Sequence, residues 1–237
     1  MKIYAHCLVQ NEENFLWYSV ASIVEHVDKV MIWDNGSSDR TFEIIKELRN
    51  KWPDKIISKK FSGTVSVARQ KMLDETDADW IIILDGDEIW WENSIRHLVS
   101  VIDNEGSDLD SIVVPFKNLI GDMFHYQSED KGKYNIDGKT GFLTIRAINN
   151  KIEGLKVSGK YPFEGYANSG GILIQNLDQN RRMFLDAPYL HLTHLKRSSK
   201  KSDKIKYRFG VEFPKDFYYP EVIFKTRPKI ITSIWTK

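Results

Sequence analysis

Apolar positions in the first 116 residues alternate between a strand-like and a helix-like period. Residues 2–9 read as a strand. The next segment carries a helical stripe of Leu16, Val20, Ile23, Val24 and Val27, with Asn11 or Asn14 as its cap. Residues 29–33 form a second predicted strand. It stops at Asp34-Asn35-Gly36-Ser37-Ser38-Asp39, residue types that accept tight turns and start helices. A helix over 41–50 turns Phe42, Ile45 and Leu48 inward and ends before Trp52-Pro53. A short strand at 55–58 and a helix at 65–74 follow. Residues 80–84, Trp-Ile-Ile-Ile-Leu, lack polar alternation and are expected to be a central strand covered on both faces. Beyond Asp85-Gly86-Asp87-Glu88, a helix over 92–102 buries Ile95, Leu98, Val99 and Ile102, and 112–116 reads as a strand. Such repeated units predict an α/β fold: a Rossmann-like, mostly parallel central sheet flanked by helices, joined by right-handed crossovers.

The second half has another texture. Residues 117–141 mix Gly, Asp, Lys and aromatics without a sustained period, which suits an acceptor-side elaboration. Residues 141–148, 171–175 and 188–193 are strand candidates, and 196–206 form a basic stretch. With no repeat and no clean linker, the chain divides by role, 1–116 and 117–237, within one compact domain.

Composition narrows the function. At 41% hydrophobic and 28% charged, the 237 residues form a folded chain with a sizeable core. A net charge of +1 gives no general reason to expect a nucleic-acid partner. The single cysteine, Cys7, offers neither an intrachain disulfide nor a thiolate zinc site, which fits a reducing compartment. The first residues lack a signal-like block, and no apolar run approaches the roughly 20 residues a bilayer demands. A cytoplasmic location is expected, with peripheral contact at the inner face of a membrane as an extension of it.

Ligands of open α/β sheets bind beyond the carboxyl ends of the strands. Three polar clusters fall there: Asn11-Glu12-Glu13, residues 34–39, and Asp85-Gly86-Asp87-Glu88. Gly86 lets two carboxylates approach one centre, and their hard oxygens suit Mg²⁺ or Mn²⁺. A plainer account is available for each residue. Asp85 can cap the next helix, Asn11 and Asp34 can satisfy turn backbone, and Arg69 can pair with Asp74 or Glu75 on the surface.

Four segments carry a family likeness. Val9-Gln10-Asn11-Glu12-Glu13 followed by Leu16, then residues 33–41, then Ala68-Arg69-Gln70, and finally Leu84-Asp85-Gly86-Asp87-Glu88 stand in order. Together they resemble the strand-end, arginine and DxD motifs of family 2 glycosyltransferases of GT-A fold. The resemblance implies a nucleotide-sugar-binding half over residues 1–116. Asp34 would contact the base or ribose, through uracil if the donor is UDP-linked. Asn11 and Glu12 would shape that pocket, Arg69 would sit near the nucleotide or diphosphate, Asp85 would face ribose and metal-bound water, and Asp87 would be the more direct ligand of Mn²⁺ or Mg²⁺.

The rest of the site is less sharply marked. A late histidine joins the metal or diphosphate in a number of GT-A enzymes, and Tyr189-Leu190-His191-Leu192-Thr193-His194 is similar to such a segment; His194 is preferred over His191. Lys200 and Lys201 in the basic stretch are candidates to close on the donor diphosphate, an acidic glycan or anionic headgroups. Glu164, among aromatics, is the first choice of general base, with Asp122, Asp130 and Asp186 competing. The predicted reaction is inverting transfer from a nucleotide-diphosphate sugar to a glycan, lipid-linked glycan or glycoprotein. Sugar nucleotidyl transfer and non-catalytic carbohydrate binding are the competing functions. A dinucleotide fingerprint and a P-loop are both absent.

Overall fold

The computed structural model describes residues 1–160, 162–200 and 210–236. Its first half follows the hydrophobic pattern. Strands β1 (Ile3–Val9), β2 (Lys29–Asp34), β3 (Ile56–Lys60) and β4 (Trp80–Ile83) lie parallel in the order β3-β2-β1-β4. Cys7 pairs with Ile32 on one side of β1, and Ala5 with Ile82 on the other. Helices α1 (Leu16–Ile23), α2 (Thr41–Lys51), α3 (Val65–Asp74) and α4 (Glu92–Glu105) supply the covering layers.

Both faces of β1, β2 and β4 are apolar because both are covered, while β3, at the edge, is largely exposed. Ala5, Cys7, Val30 and Ile32 face the cluster completed by Leu16, Val20, Ile44, Ile45, Leu48, Ile95 and Leu98. Alternate residues Tyr4, Met31 and Trp33 meet Met72 of α3, while Ile81 and Ile83 meet Leu73. Ile44 takes the buried place expected of Phe42, which only packs partly against the core.

The central sheet continues into the second half. Strand β10 (Leu143–Asn149) runs antiparallel to β4, and β6 (Ser111–Ile120) antiparallel to β10, so β6 is again parallel to β4. Residue 117 therefore falls inside a strand. Beyond β6, the short β7 (His125–Gln127) pairs with β15 (Gly210–Glu212), while β8 (Tyr134–Ile136) and β9 (Lys139–Gly141) form a separate hairpin. Strands β11 (Lys156–Ser158) and β12 (Gly165–Ala167) form another, and β13 (Arg182–Phe184) adds to β6.

Two local expectations are corrected. Residues 171–175 form a single bridge at Leu173 and then a 3-10 turn, Ile174–Asn176, because Gly171 takes a left-handed φ of 77°. Neither asparagine caps α1. The Asn14 amide donates to the Lys196 carbonyl (2.8 Å), and Asn11, at φ 58°, accepts from the Ser38 N–H (2.8 Å).

One core residue makes the fold acid-sensitive. His6, 1% exposed, sits with Nε2 2.6 Å from Thr76 Oγ1, whose own proton goes to the Met72 carbonyl (2.7 Å). The imidazole is thus the donor through Nε2–H, and its buried Nδ1 has no hydrogen-bond partner among the described residues. Burial, with Arg69 adding to it, pushes the His6 pKa down to about 3. An unfolded chain takes up this proton near pH 6.5 and the folded one does not. Stability from this residue is therefore complete above pH 6.5 and lost as pH falls toward 3, by about 1.4 kcal/mol per unit. The difference in urea-unfolding stability between wild type and His6→Gln, measured from pH 7 to pH 4, should follow that slope below pH 6.5, free of the opposing contribution of Glu88 that both proteins share.

Candidate active site

The candidate centre forms where β1, β2 and β4 end. Strand β5 (Glu88–Trp90), which the sequence pattern does not reveal, pairs antiparallel with β14 (Tyr189–His194) and sets His191 opposite Glu88. This long-range pairing carries the second half of the chain to the Asp85-Gly86-Asp87 turn. His191 is the histidine that faces Asp87, with Nε2 3.6 Å from Oδ1. His194 lies three residues on, opposite Ile120.

Gly86 has a reason beyond turning. A Cβ there would stand 2.9 Å from Glu12 Cγ and 3.0 Å from Val9 Cγ1. The missing side chain lets the turn lie directly on the β1 end, so Asp85, Asp87 and Glu12 share one space. Gly86→Ala is expected to cost about 1–3 kcal/mol through overpacking and to displace Glu12; a thermal melt alongside donor binding measures both.

Three arginines neutralise these carboxylates. Arg69, on α3, reaches Asp85 Oδ1 at 3.6 Å and Glu164 Oε1 at 3.8 Å, rather than pairing with Asp74 or Glu75. Arg146, on β10, donates to Asp85 Oδ2 (3.0 Å), to the fully buried Glu88, and to the Tyr189 hydroxyl (3.1 Å). Arg197 donates to Glu12 Oε1 (2.9 Å) and Asp87 Oδ2 (3.4 Å).

The titration directions follow from this packing. Burial alone would raise Asp85, but Arg146, Arg69 and His191 outweigh it and hold its carboxyl well below the usual range. Asp87 is likewise low, since His191 and Arg197 overcome burial. Burial opposes charge on His191, yet Asp87 beside it raises its pKa. Glu88 goes the other way: burial, reinforced by Asp85 and opposed by Arg146, pushes it up to about 8.

The remaining sequence candidates spread around this centre. Asp34 is 3% exposed and accepts from the Ser37 N–H (3.0 Å), so it shapes the turn after β2. Glu164 is largely but not fully buried just before β12, its side chain 11% exposed, and its Oε2 has no hydrogen-bond partner among the described residues. It lines a cleft of about 420 Å³ with Arg69, Tyr166, Ile83, Tyr134 and Asn135, a size within the range of small-ligand pockets. Its neighbour Phe163 is 86% exposed. Asp122 bonds His125, Asp130 is tied to Ser128 and Lys131, and Asp186 lines a second cleft beside Phe116 and Phe142.

The basic stretch meets the site through a residue not singled out in the sequence. The Asn14 N–H donates to the Arg197 carbonyl (3.1 Å), the Ser199 N–H to Glu13 Oε1 (2.7 Å), and Ser198 Oγ to Asp39 Oδ2 (2.5 Å). These bonds dock residues 196–200 against the entrance of α1 and aim Arg197 inward. Lys200 stays exposed, and Lys201 lies outside the described residues.

The family model for glycosyl transferase family 2 matches residues 8–168, from the end of β1 through β12. The chain belongs to glycosyl transferase family 2. This family 2 chain is 27% identical over 152 residues to the minor teichoic acid biosynthesis protein GgaB of Bacillus subtilis (strain 168), covering 61% of the chain and 16% of that protein. It spans at most 31% of the curated relatives it matches. Its fold is that of GT-A glycosyltransferases. Staphylococcus aureus TarS 1–349, solved with UDP-GlcNAc, superposes with a TM-score of 0.57 at 14% identity over 81% of this chain and 58% of that one. Glucosyl-3-phosphoglycerate synthase from Mycobacterium tuberculosis, solved with Mn²⁺, UDP and glucosyl-3-phosphoglycerate, gives 0.52 at 14% identity over 80% and 71%.

Among the described residues, no group of three His, Cys, Asp or Glu side chains is spaced to hold a metal unaided. The Asp87–His191 pair nevertheless fits a shared ion. At 3.6 Å its atoms are too far apart for a hydrogen bond and somewhat wider than the roughly 3 Å between neighbouring ligands of an octahedral ion, so the carboxylate and imidazole would draw together on one cation. Magnesium-type ions commonly take one or two protein ligands and complete their shell from phosphate and water.

Proposed function

We propose that this chain transfers a sugar from a nucleoside-diphosphate donor, a UDP-sugar, to a hydroxyl of a glycan-type acceptor, with inversion and with a divalent metal. The carrying observation is the convergence of Glu12, Asp85 and Asp87 with Arg69, Arg146 and Arg197 at the carboxyl ends of β1 and β4. The UDP and Mn²⁺ in solved structures of the same fold support it.

In this reading Asn11, Glu12 and Asp34 border the nucleoside, and Arg69 stands between it and the acceptor cleft. Asp87 and His191 would hold Mn²⁺ or Mg²⁺, with Asp85 oriented by its two arginines toward ribose and metal-bound water. The metal, when bound, would supply positive charge to the leaving diphosphate. Arg197 and Lys200 approach the same diphosphate from the docked segment. Glu164, whose carboxyl lines the cleft, takes the proton of the acceptor hydroxyl while the acceptor oxygen bonds the anomeric carbon. The anomeric carbon–oxygen bond to phosphate breaks, and the nucleoside diphosphate leaves with its electron pair. Acceptors in scope are a polysaccharide, a lipid-linked glycan or a glycoprotein. Among the described residues no helix is long and apolar enough to cross a membrane.

A panel of UDP-, GDP-, CDP- and dTDP-sugars assayed for Mn²⁺-dependent hydrolysis and thermal stabilisation tests the proposal. Selective turnover of one UDP-sugar is expected. Sugar binding without any nucleotide effect would instead select the non-catalytic carbohydrate-binding alternative.

A further inference from the structure

We propose that Arg197 is a built-in counter-cation on Asp87, so that divalent metal and donor diphosphate bind cooperatively by drawing it away. The inference rests on the metal-assisted reading above. Glu12 and Asp87 are 5% and 2% exposed, and buried carboxylates need a compensating cation. Arg197 is such a cation, at 2.9 Å from Glu12 and 3.4 Å from Asp87. Both oxygens of Asp87 are then engaged, Oδ1 facing His191 and Oδ2 facing the guanidinium.

A divalent ion on Asp87 would add two positive charges next to that guanidinium, in a site where water screens poorly. Metal binding is therefore opposed while Arg197 stays in place. Donor binding changes the balance, because a diphosphate offers a guanidinium a bidentate, doubly charged partner. Once Arg197 turns to the diphosphate, Asp87 is left to the metal. The arginine is mounted suitably. Unlike Arg69 on α3 and Arg146 on β10, it sits on a segment held to Asn14, Glu13 and Asp39 by hydrogen bonds. By linkage, each ligand then strengthens the other by the same factor.

The test is Mn²⁺ titration followed by electron paramagnetic resonance, with and without UDP, on wild type, Arg197→Ala, Arg197→Lys and Ser198→Ala. Without UDP, Arg197→Ala should bind Mn²⁺ about tenfold more tightly than wild type, and the enhancement by UDP, still present because the diphosphate itself holds the ion, should be about tenfold smaller. Arg197→Lys should stay near wild type. Ser198→Ala, which removes the Asp39 anchor, should shift in the same direction as Arg197→Ala and decides the matter if that variant does not fold. Equal or weaker Mn²⁺ binding in the variants, with the UDP enhancement unchanged, would overturn the role of Arg197 and leave the transferase reading standing. Failure of wild type to bind UDP at all would overturn both.

Discussion

Arg146→Leu is expected to lower folding stability by about 3 kcal/mol, the largest loss of any single change at this site. The guanidinium satisfies Asp85, Glu88 and the Tyr189 hydroxyl together, and Glu88 is fully buried. Removing one member of a buried ionic cluster leaves the others uncompensated, which costs more than the cluster contributes when whole. Glu88 limits the damage, because a carboxyl already raised to about 8 can take up a proton. The sign of the pH effect follows. Without Arg146 the folded-state pKa of Glu88 rises above its wild-type value of about 8, so the extra penalty relative to wild type grows as pH increases beyond about 8. Urea denaturation of variant and wild type at pH 7 and pH 9 should show the greater difference at pH 9, and adding Glu88→Leu should recover part of it. Equal stability of Arg146→Leu and wild type at pH 8 would mean that the cluster is not formed.

Glu164→Gln is expected to reduce kcat by roughly 10²–10⁴-fold while leaving donor KM nearly unchanged. The glutamine keeps the shape beside Arg69 but gives up the proton-accepting oxygen in the cleft. Single-turnover transfer with the identified donor and acceptor is the measurement. An undiminished rate would move the base to Asp186, which lines the cleft beside Phe116 and Phe142. It would not move it to Asp122 or Asp130, whose carboxylates are taken up by His125 and by Ser128 and Lys131.

How much of this was legible in the sequence depended on distance along the chain. The pattern through β1, β2 and β4 was readable because those strands are buried on both faces, and the strand-end polar runs stood out against it. Gly86 was rightly suspected, but its cause is contact with Glu12 and Val9, 74 or more residues away in sequence, not a left-handed backbone. Arg146 was missed although its setting, Leu143-Thr144-Ile145-Arg146-Ala147-Ile148, carried a signal: one charge inside a buried strand needs a buried partner. Arg197 was hidden by its neighbours, since a run of lysines and arginines does not say which member turns inward. The preference for His194 failed to anticipate the β5–β14 pairing, which depends on segments about 100 residues apart and brings His191 to Asp87. Period-based reading cannot see such a register.

The most direct test is isothermal calorimetry of UDP with wild type and Asp87→Ala, each in Mn²⁺ and in EDTA. If the carboxylates at the ends of β1 and β4 gather metal and diphosphate together, wild type binds UDP far more tightly with Mn²⁺ and the variant loses that gain. Equal UDP affinity in all four titrations, or none in any, would contradict it.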